Sequence, residues 1–362
     1  MKAVALIEGP DHVCYRYRIE AFAWAMAERG IFLESAVLAK DWLRRIGQFR
    51  AAGGADVVIL QRRLLPVWQL ALLRRYARRL IYDCDDAVFQ RDSYNRKGPE
   101  SWSRTARFWA AVYAADAVIV GNDHLRRQTV EYVERSRVHR IPTCVEPQLY
   151  RPVRHRRRGA EARLAWIGQR STLGSLYRAR ECFAAAAVRL PGLQMRLICD
   201  RPANLYPLKV VPRQWSSATE SAELADADIG VNWLPDDNWS RGKCGLSVLQ
   251  YMAAGLPVVA NPVGMNRRMV VHGRTGLLAS TPQQWSEAIE RLAADPALRE
   301  RLGRAGRRLV ERRYSVSAWG PKFADVVASA ASATGNTDSP DRARVRQIGI
   351  SPVGYRAHVG GH

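Results

Sequence analysis

Hydrophobic segments of strand length alternate with longer segments of helical periodicity along the first part of the chain. The predicted strands lie at residues 3–7, 57–60, 80–82, 117–120 and 137–141, and the predicted helices include residues 17–29 and 64–79. Gly30 follows the first of these helices, at a position where glycine commonly ends a helix. Strands and helices that alternate in this way predict a parallel sheet with crossover helices.

The same alternation restarts after an arginine-rich interruption around Pro152 and Gly159, which predicts an exposed linker. Further strands are predicted at residues 164–167, 195–199, 229–233 and 258–260, with helices at residues 246–254 and 286–294. Two α/β units in tandem predict two Rossmann-like domains, which we place at residues 1–155 and 156–315. Residues 329–362 lose this periodicity, are rich in Ser, Gly, Asp, Pro and Arg, and are predicted to form a disordered tail.

Composition narrows the classes of partner. The 362 residues include 56 Lys and Arg against 34 Asp and Glu, a formal net charge of +22, which favours phosphates, nucleic acids or acidic membranes. The sequence contains no recognisable nucleic-acid-binding module, so we expect no nucleic-acid partner. No segment approaches the ~20 apolar residues of a membrane span. The six cysteines form no C-x-x-C pair and fit buried, reduced thiols, which predicts a cytoplasmic protein.

The loop before the predicted helix at residues 246–254 has the composition of a phosphate site. Gly242 and Gly245 flank Lys243 there, and the free N–H groups of a helix N-terminus together with a lysine can hold a phosphate. Gly264 follows the next strand and would allow a close backbone approach to a ligand. Taken alone, these glycines also fit simple turns, although the ligand crevice of a doubly wound sheet lies at such strand ends.

The segment CGLSVLQYMAAGLPVVANPVG (244–264), followed by VVHGRTGLL (270–278), resembles the donor-site signature of the retaining GT-B glycosyltransferases of family 4. Three N-terminal segments, YRYRI (15–19), YDCDDAVF (82–89) and VIVGN (118–122), also resemble the bacterial branch of that family. The resemblance extends over roughly residues 1–325 and is sharp over residues 242–278.

The resemblance implies an α/β fold of the GT-B type, with two Rossmann-like domains facing each other across a cleft and a helix at residues 316–328 that crosses back to the first domain. It implies a nucleotide-sugar donor in the second domain, a glycan or lipid-linked acceptor in the first, retention of configuration, and no metal or other cofactor. The expected product is a cell-surface polysaccharide, lipopolysaccharide or glycolipid. The implied donor-binding residues are Gly168, Lys243, Cys244, Gly245, Leu246, Gln250 and Gly264.

The chain departs from this family at two positions. The family commonly has two glutamates eight residues apart, the first orienting the sugar and the second holding the ribose, whereas Gly242 and Gln250 stand at the corresponding positions here. Gln250 can still hydrogen-bond ribose hydroxyls, but Gly242 cannot orient a sugar. A second hypothesis therefore stays open, an inactive protein that binds nucleotide sugar or membrane without turnover.

Two cations are candidates for stabilising the leaving diphosphate. Arg170 follows the predicted strand at residues 164–167, and Lys243 lies in the glycine-rich loop. A positioned pair of cations stabilises the charge that develops on the leaving group. For Arg170 the alternative is a surface arginine in a turn.

Asp83, Asp85 and Asp86 follow the predicted strand at residues 80–82. Three roles are open for them: a metal site through the D-x-D pattern, a hydrogen bond to an acceptor hydroxyl, and a cap on a following helix. We assign Asp85 to catalysis and Asp86 to acceptor binding.

The loop after the first predicted strand supplies further acceptor candidates, Gly9 and His12. Arg16 and Arg18 lie near the start of the next helix, where cations oppose the helix dipole and therefore indicate an anion. Asn122, at the end of the VIVGN segment, is also assigned to acceptor binding. A solvated basic face and a structural histidine are the alternatives.

The predicted helix at residues 64–79 has two interpretations. Leu64, Leu65, Trp68, Leu72 and Tyr76 share one face, and four arginines crowd the C-terminal end. The helix is either core-facing, with cations favourable at its C-terminus, or a basic amphipathic helix on an anionic membrane. The second interpretation would place the protein on the inner face of the cytoplasmic membrane.

Overall fold

The computed structural model describes residues 1–332. Within them the chain forms two halves, each centred on a sheet of six parallel strands. The N-terminal strands are β1 (Lys2–Ile7), β2 (Phe32–Val37), β3 (Val57–Gln61), β4 (Leu80–Cys84), β5 (Ala117–Val120) and β6 (Val138–Arg140). They pair in the order β2-β1-β3-β4-β5-β6. Every residue of β3, β4 and β5 is buried, as expected of central parallel strands covered on both faces.

Helices cover both faces of this first sheet. The N-terminal helices are α1 (Val13–Arg18), α2 (Ala23–Glu28), α3 (Trp42–Ala52), α4 (Val67–Tyr76), α5 (Trp102–Ala114) and α6 (Asp123–Val130). Successive strand residues point to opposite faces, so Leu60 and Tyr82 join one core cluster while Ile59 and Ile81 join the other. Each face of the sheet is thereby packed against its own layer of helices.

The C-terminal half repeats the architecture. Its strands are β7 (Arg163–Ile167), β8 (Gln194–Cys199), β9 (Lys209–Gln214), β10 (Ile229–Asn232), β11 (Val258–Ala260) and β12 (Gly276–Leu278), and they pair in the order β12-β11-β10-β7-β8-β9. Its helices are α7 (Leu173–Arg178), α8 (Arg180–Arg189), α9 (Glu220–Ala225), α10 (Asn238–Gly242), α11 (Leu246–Ala253), α12 (Met265–Met269), α13 (Pro282–Ala294) and α14 (Pro296–Arg313).

A last helix, α15 (Val316–Ser332), returns to the N-terminal half. The ring of Phe323 stacks on Phe22, with the centroids 4.9 Å apart, and Ala330 is buried in the same cluster. The predicted tail boundary at residue 329 was therefore wrong, because apolar packing continues the helix to Ser332. The remainder of the predicted tail, residues 333–362, lies outside the described residues.

The strands that the hydrophobic pattern of the sequence did not predict lie mostly at the edges of the two sheets. Strands β2 and β9 form sheet edges and contain many exposed residues, so their apolar signal is weak. The predicted helix at residues 17–29 is divided into α1 and α2 around Ile19. Helix α4 begins only after Pro66, which lacks the N–H needed within a helix.

Candidate active site

A cavity of about 430 Å³ lies between the two halves, at the carboxyl ends of their strands. We call its two sides the N-terminal wall and the C-terminal wall. The N-terminal wall includes His12, Val13, Cys14, Tyr17, Arg62, Asp85, Asp86, Val88, Gln90 and Asp92. The C-terminal wall includes Trp166, Gly168, Gln169, Ser171, Thr172, Trp215, Glu220, Asn232, Trp233, Trp239, Lys243, Cys244, Gly245, Leu246, Ser247 and Gln250.

The topology explains why these residues meet. The strand order reverses between β1 and β3 in the first sheet and between β7 and β10 in the second. His12 and Arg62 follow the first pair of strands, and Gly168 and Trp233 follow the second. Ligands of doubly wound sheets bind at such switch points, and here the two switch points face a common cavity.

The conformation of the loop before α11 is fixed by a left-handed glycine and by a hydrogen bond from Asn122. Gly245, the N-cap of α11, has φ 71°, a left-handed conformation that glycine adopts without steric cost. The amide of Asn122 donates to the carbonyl of Gly242 at 2.7 Å, and its Oδ1 caps α6. Asn122 is 2% exposed and does not line the cavity. Its predicted acceptor role was therefore wrong, because its NH2 group supports the loop and its Oδ1 caps α6.

Lys243 presents a cation to the cavity. Its Nζ lies 3.8 Å from the centroid of the Trp239 ring, a cation–π contact. Burial lowers the pKa of Lys243, and the nearby carboxylate of Asp86 opposes that shift. Among the ion pairs of residues 1–332, none joins Lys243 to a carboxylate. The lysine is thus positioned for an anion that the protein itself does not supply.

The N-terminal wall presents three carboxylates instead, those of Asp85, Asp86 and Asp92. Arg62 Nη1 lies 3.4 Å from Asp85, and Arg62 Nη2 lies 3.6 Å from Asp86. Burial alone would raise the pKa of Asp85, but the guanidinium groups of Arg62 and Arg18 hold it below its usual value. Asp85 therefore remains ionised and can accept hydrogen bonds. Arg62 has φ 44°, a strained conformation of the kind that concentrates at functional sites.

A buried ion pair lies beneath this wall. Arg18 is 0% exposed, its Nη2 lies 2.5 Å from Asp83 Oδ1, and its Nη1 donates to the carbonyl of Ile141. Burial alone would lower the pKa of Arg18, but the Asp83 carboxylate raises this pKa above its usual value. The predicted acceptor role of Arg18 was wrong, because its charge is already neutralised inside the fold.

The other residues of the first loop are divided between structural contacts and the cavity. The Nδ1 of His12 accepts from the backbone N–H of Cys14, and its Nε2 lies 3.0 Å from Glu8. Burial lowers the pKa of His12, so its ring lines the cavity as a neutral N-cap of α1. Gly9 and Arg16 are absent from the residues that line the cavity, and Arg16 instead lies 3.5 Å from Glu220.

Arg170 is separated from Lys243. It lines a neighbouring cavity with Asp200 and Trp215, and its backbone N–H donates to Asp200 at 2.8 Å. The structure therefore does not bring the predicted catalytic pair together. The arginines that line the main cavity with Lys243 are Arg62 and Arg104.

Two glycines are explained by packing against the protein itself. A Cβ at Gly242 would lie 2.6 Å from the Cβ of Ala87 in the N-terminal wall, so a glutamate cannot stand there without moving that loop. Gly264 has φ 53°, and a Cβ there would lie 3.1 Å from the carbonyl oxygen of Ser240. Its predicted role towards a ligand was therefore wrong, since the close approach is to the turn before Lys243.

The three open roles of the aspartates can now be weighed. The next helix after Asp86 is α5, whose N-cap is Ser101, so none of the three caps a helix. Within residues 1–332 no group of three His, Cys, Asp or Glu side chains could hold a metal. Asp83 belongs to the buried pair with Arg18, and Asp85 and Asp86 face the cavity, where they can accept hydrogen bonds from a hydroxyl.

Helix α4 faces the core for most of its length. Leu70 and Leu73 of α4 and Leu65 just before it are buried, and Arg74 near its C-terminal end pairs with Asp116 at 3.0 Å. Trp68 is the exception at 52% exposure. It contacts Trp42 of α3, itself 51% exposed, and Leu43 beside it is 61% exposed. None of the helices within residues 1–332 is long and apolar enough to cross a bilayer.

Sequence reasoning missed Arg62, Trp239 and Glu220. Arg62 directly follows β3, and the strand-end rule that selected the aspartates would also have selected it. Trp239 lies four residues before Lys243, one turn away at the end of α10, a spacing too common in helices to indicate a site. Glu220 carries no local signal, because all its partners except Trp215 come from distant parts of the chain.

Residues 238–309 match the family model described as Glycosyl transferases group 1. The D-inositol 3-phosphate glycosyltransferase of Pseudarthrobacter chlorophenolicus is 48% identical over 63 residues, 17% of this chain and 15% of that protein. The alpha-D-kanosaminyltransferase of Streptomyces kanamyceticus is 34% identical over 85 residues, 23% of this chain and 22% of that protein. The matched segments thus span less than a quarter of these curated relatives.

Solved structures match the whole architecture. Sucrose-phosphate synthase from Thermosynechococcus elongatus superposes with a TM-score of 0.71 at 18% identity, covering 91% of this chain and 98% of that one. Anabaena HepE, solved with UDP and glucose, superposes with a TM-score of 0.68 at 14% identity, covering 91% and 100%. The fold is therefore GT-B, as predicted.

Proposed function

We propose that this chain is a glycosyltransferase that takes a sugar from a nucleoside diphosphate donor and retains its anomeric configuration, in the manner of family 4. The observation that carries the proposal is Lys243, a cation without a carboxylate partner among the described residues, next to the left-handed Gly245 that opens α11. The match of residues 238–309 to the glycosyltransferase model covers this same segment.

The donor lies against the C-terminal wall. The free N–H groups at the start of α11 and the ammonium group of Lys243 hold the diphosphate, and both stabilise the charge that develops as the sugar–phosphate bond breaks. Gln250 lies one helical turn further along α11 and lines the cavity, where its amide can reach the ribose.

The acceptor lies against the N-terminal wall. A hydroxyl placed between the two walls donates a hydrogen bond to the ionised Asp85, while Asp86 contacts a neighbouring hydroxyl. The leaving phosphate oxygen takes the acceptor proton on the same face of the sugar, so the protein supplies positioning and charge rather than a separate base. Arg62 pairs with the carboxylates of Asp85 and Asp86, and we expect no metal, because this guanidinium group already offsets their charge.

The acceptor that this arrangement favours is a cell-surface polysaccharide, lipopolysaccharide or glycolipid precursor. Trp42, Leu43 and Trp68 form an exposed apolar patch on the N-terminal half, and Lys40 and Arg44 next to it are exposed cations. Exposed aromatic side chains beside cations suit the interface of an anionic membrane. Peripheral binding there would bring the N-terminal wall near a lipid-linked acceptor.

The first test is calorimetric binding of UDP, GDP, ADP, CMP and dTDP to the full chain and to Lys243→Ala. We expect one nucleotide to bind at micromolar strength and to lose at least about tenfold in affinity in the variant, as loss of a charge-assisted contact implies. A folded wild-type protein that binds none of them would refute the donor site. Binding without transfer or donor hydrolysis would favour the inactive binder, and NMR of a formed product would report its anomeric configuration.

The proposed binding of this patch to an anionic membrane is tested by co-sedimentation of the protein with phosphatidylglycerol vesicles and with phosphatidylcholine vesicles. We expect binding to the anionic vesicles that weakens in Trp42→Ser/Trp68→Ser and in high salt. Equal sedimentation of wild type and variant would contradict a role for this patch.

A further inference from the structure

A buried carboxylate in the C-terminal wall takes no part in the steps above. Glu220, the first residue of α9, is 2% exposed and lines the cavity. Its Oε1 accepts hydrogen bonds from the hydroxyls of Tyr17 and Tyr150, each at 2.7 Å. Its Oε2 accepts from the indole N–H of Trp215 at 3.0 Å. Three donors therefore fix the orientation of this carboxylate at the cavity surface.

One acceptor position on this carboxylate is weakly used. A carboxylate offers about four lone-pair positions, and short hydrogen bonds fill three of them here. The fourth contact comes from Arg16, whose Nη1 lies 3.5 Å from Oε2 and whose side chain is 27% exposed. A ligand hydroxyl can displace this long contact without removing any of the three short ones.

Gln250 lies on the other side of the same cluster. Its Nε2 donates to the hydroxyl of Tyr17 at 3.2 Å, so one tyrosine hydroxyl links the amide to Glu220. Gln250 is four residues beyond Leu246, which corresponds to about 6 Å along the axis of α11. A diphosphate at the start of that helix therefore places its attached ribose at the level of Gln250 and Glu220.

We propose that Glu220 is the carboxylate that binds the ribose hydroxyls of the donor, with Gln250 as its neutral partner. The proposal rests on the nucleotide-sugar function proposed above. The negative charge of the ribose subsite then comes from Glu220 on α9, and the neutral amide comes from Gln250 on α11. The proposal also restricts the donor class, because a deoxyribose lacks a hydroxyl that this pair binds; ribonucleoside diphosphate sugars are substrates and deoxythymidine diphosphate sugars are poor ones.

The test compares ribonucleotides with deoxyribonucleotides by calorimetry on the full chain. The probes are the diphosphate among UDP, GDP and ADP that binds most tightly, and its 2′-deoxy and 3′-deoxy counterparts. We expect wild type to bind the ribonucleotide about tenfold or more tightly than at least one deoxy form, as a lost hydrogen bond to a charged group implies. In Glu220→Gln we expect this ratio to fall to within about threefold, because the charge is gone.

Glu223→Gln is the matched control. Glu223 lies on the same helix, pairs with Arg196 and does not line the cavity, so the ribose preference should persist when its charge is removed. A folded Glu220→Gln protein that keeps the wild-type ratio would overturn the proposal. Equal binding of the ribonucleotide and its two deoxy counterparts by the wild-type protein would also overturn the proposal. That result does not depend on whether any variant folds. If no nucleotide binds at all, the donor site itself fails, which is a different result from binding without ribose preference.

Discussion

The two walls of the cleft differ in their chemistry where the reaction is proposed to occur. Around the start of α11 the C-terminal wall presents a helix N-terminus, a left-handed glycine and Lys243 over Trp239, an arrangement suited to an anion. The N-terminal wall presents Asp85 and Asp86, balanced by Arg62 and underlain by the Arg18–Asp83 pair. Under the proposed function, the first wall would bind and stabilise the leaving phosphate, and the second would accept hydrogen bonds from a neutral hydroxyl.

The walls also differ in how the chain assembles them. Trp239, Lys243, Gly245 and Gln250 lie within twelve residues, and the family model covers that segment. The N-terminal wall draws on three separate loops, after β1, β3 and β4. A phosphate site can therefore be encoded locally, whereas the balance of charges around an acceptor hydroxyl depends on which loops meet.

The largest expected effect concerns the support of the N-terminal wall. Arg18→Met leaves Asp83 buried without its partner, and we expect the free energy of unfolding to fall by about 3–5 kcal/mol. Urea denaturation measures this loss. The double variant Arg18→Met/Asp83→Leu should recover much of it, because neither charge then remains buried. A single variant as stable as wild type would show that this pair does not hold the wall.

A smaller effect separates the walls by function. We expect Asp85→Asn to lower kcat about a hundredfold, the size of effect that loss of reactant positioning can have, while the nucleotide Kd stays the same, since the amide is a weaker acceptor for the attacking hydroxyl than a carboxylate. Lys243→Met should instead weaken nucleotide binding. Transfer kinetics and calorimetry on both variants measure the two effects. If Asp85→Asn weakened nucleotide binding as much as Lys243→Met, the two walls would not have separate roles.

The loop at residues 85–101 of the N-terminal wall contacts α7 of the C-terminal half. This contact can be disturbed by a substitution at Gly174 in α7. A Cβ there would lie 2.6 Å from the ring of Tyr94, and Arg178 donates to the carbonyl of Ser93 at 2.8 Å. We expect Gly174→Ala to cost about 1–3 kcal/mol of stability and to raise the KM for the acceptor several-fold. Adding Tyr94→Ala should relieve the clash and restore stability. An unchanged KM would show that the loop does not shape the acceptor site.

The smallest expected effect is on the pH dependence of stability. Burial lowers the pKa of His12 and His155 below the ordinary value of 6.5, so the folded state binds fewer protons than the unfolded chain. Their contribution to stability is therefore present above pH 6.5 and is lost as the pH falls through the folded pKa. Urea denaturation between pH 7.5 and pH 5 should show this decline, and it should be shallower in His12→Asn, which keeps an N-cap. A steeper decline in that variant would contradict the sign.

The sequence by itself predicted much of the fold and one wall of the site. The periodicity of residues 3–7 and 164–167 indicated the two sheets, and the resemblance at residues 242–278 indicated GT-B. Lys243 and Gly245, which line the cavity, were selected because glycine turns and helix N-termini are properties of short segments, whereas Gln250 was selected only through the family resemblance. Edge strands such as β9 were missed, since exposed residues leave no alternation to detect.

Only the tertiary structure decided which side chains share the cavity. It removed Arg18 into a buried pair, placed Arg170 in another cavity, and brought Arg62 to the carboxylates. It also explains Gly242, whose missing side chain makes room for Ala87. These outcomes depend on packing between segments far apart in the chain. Local propensity has no information about such contacts, because the distance between two loops is set by the sheets and helices beneath them.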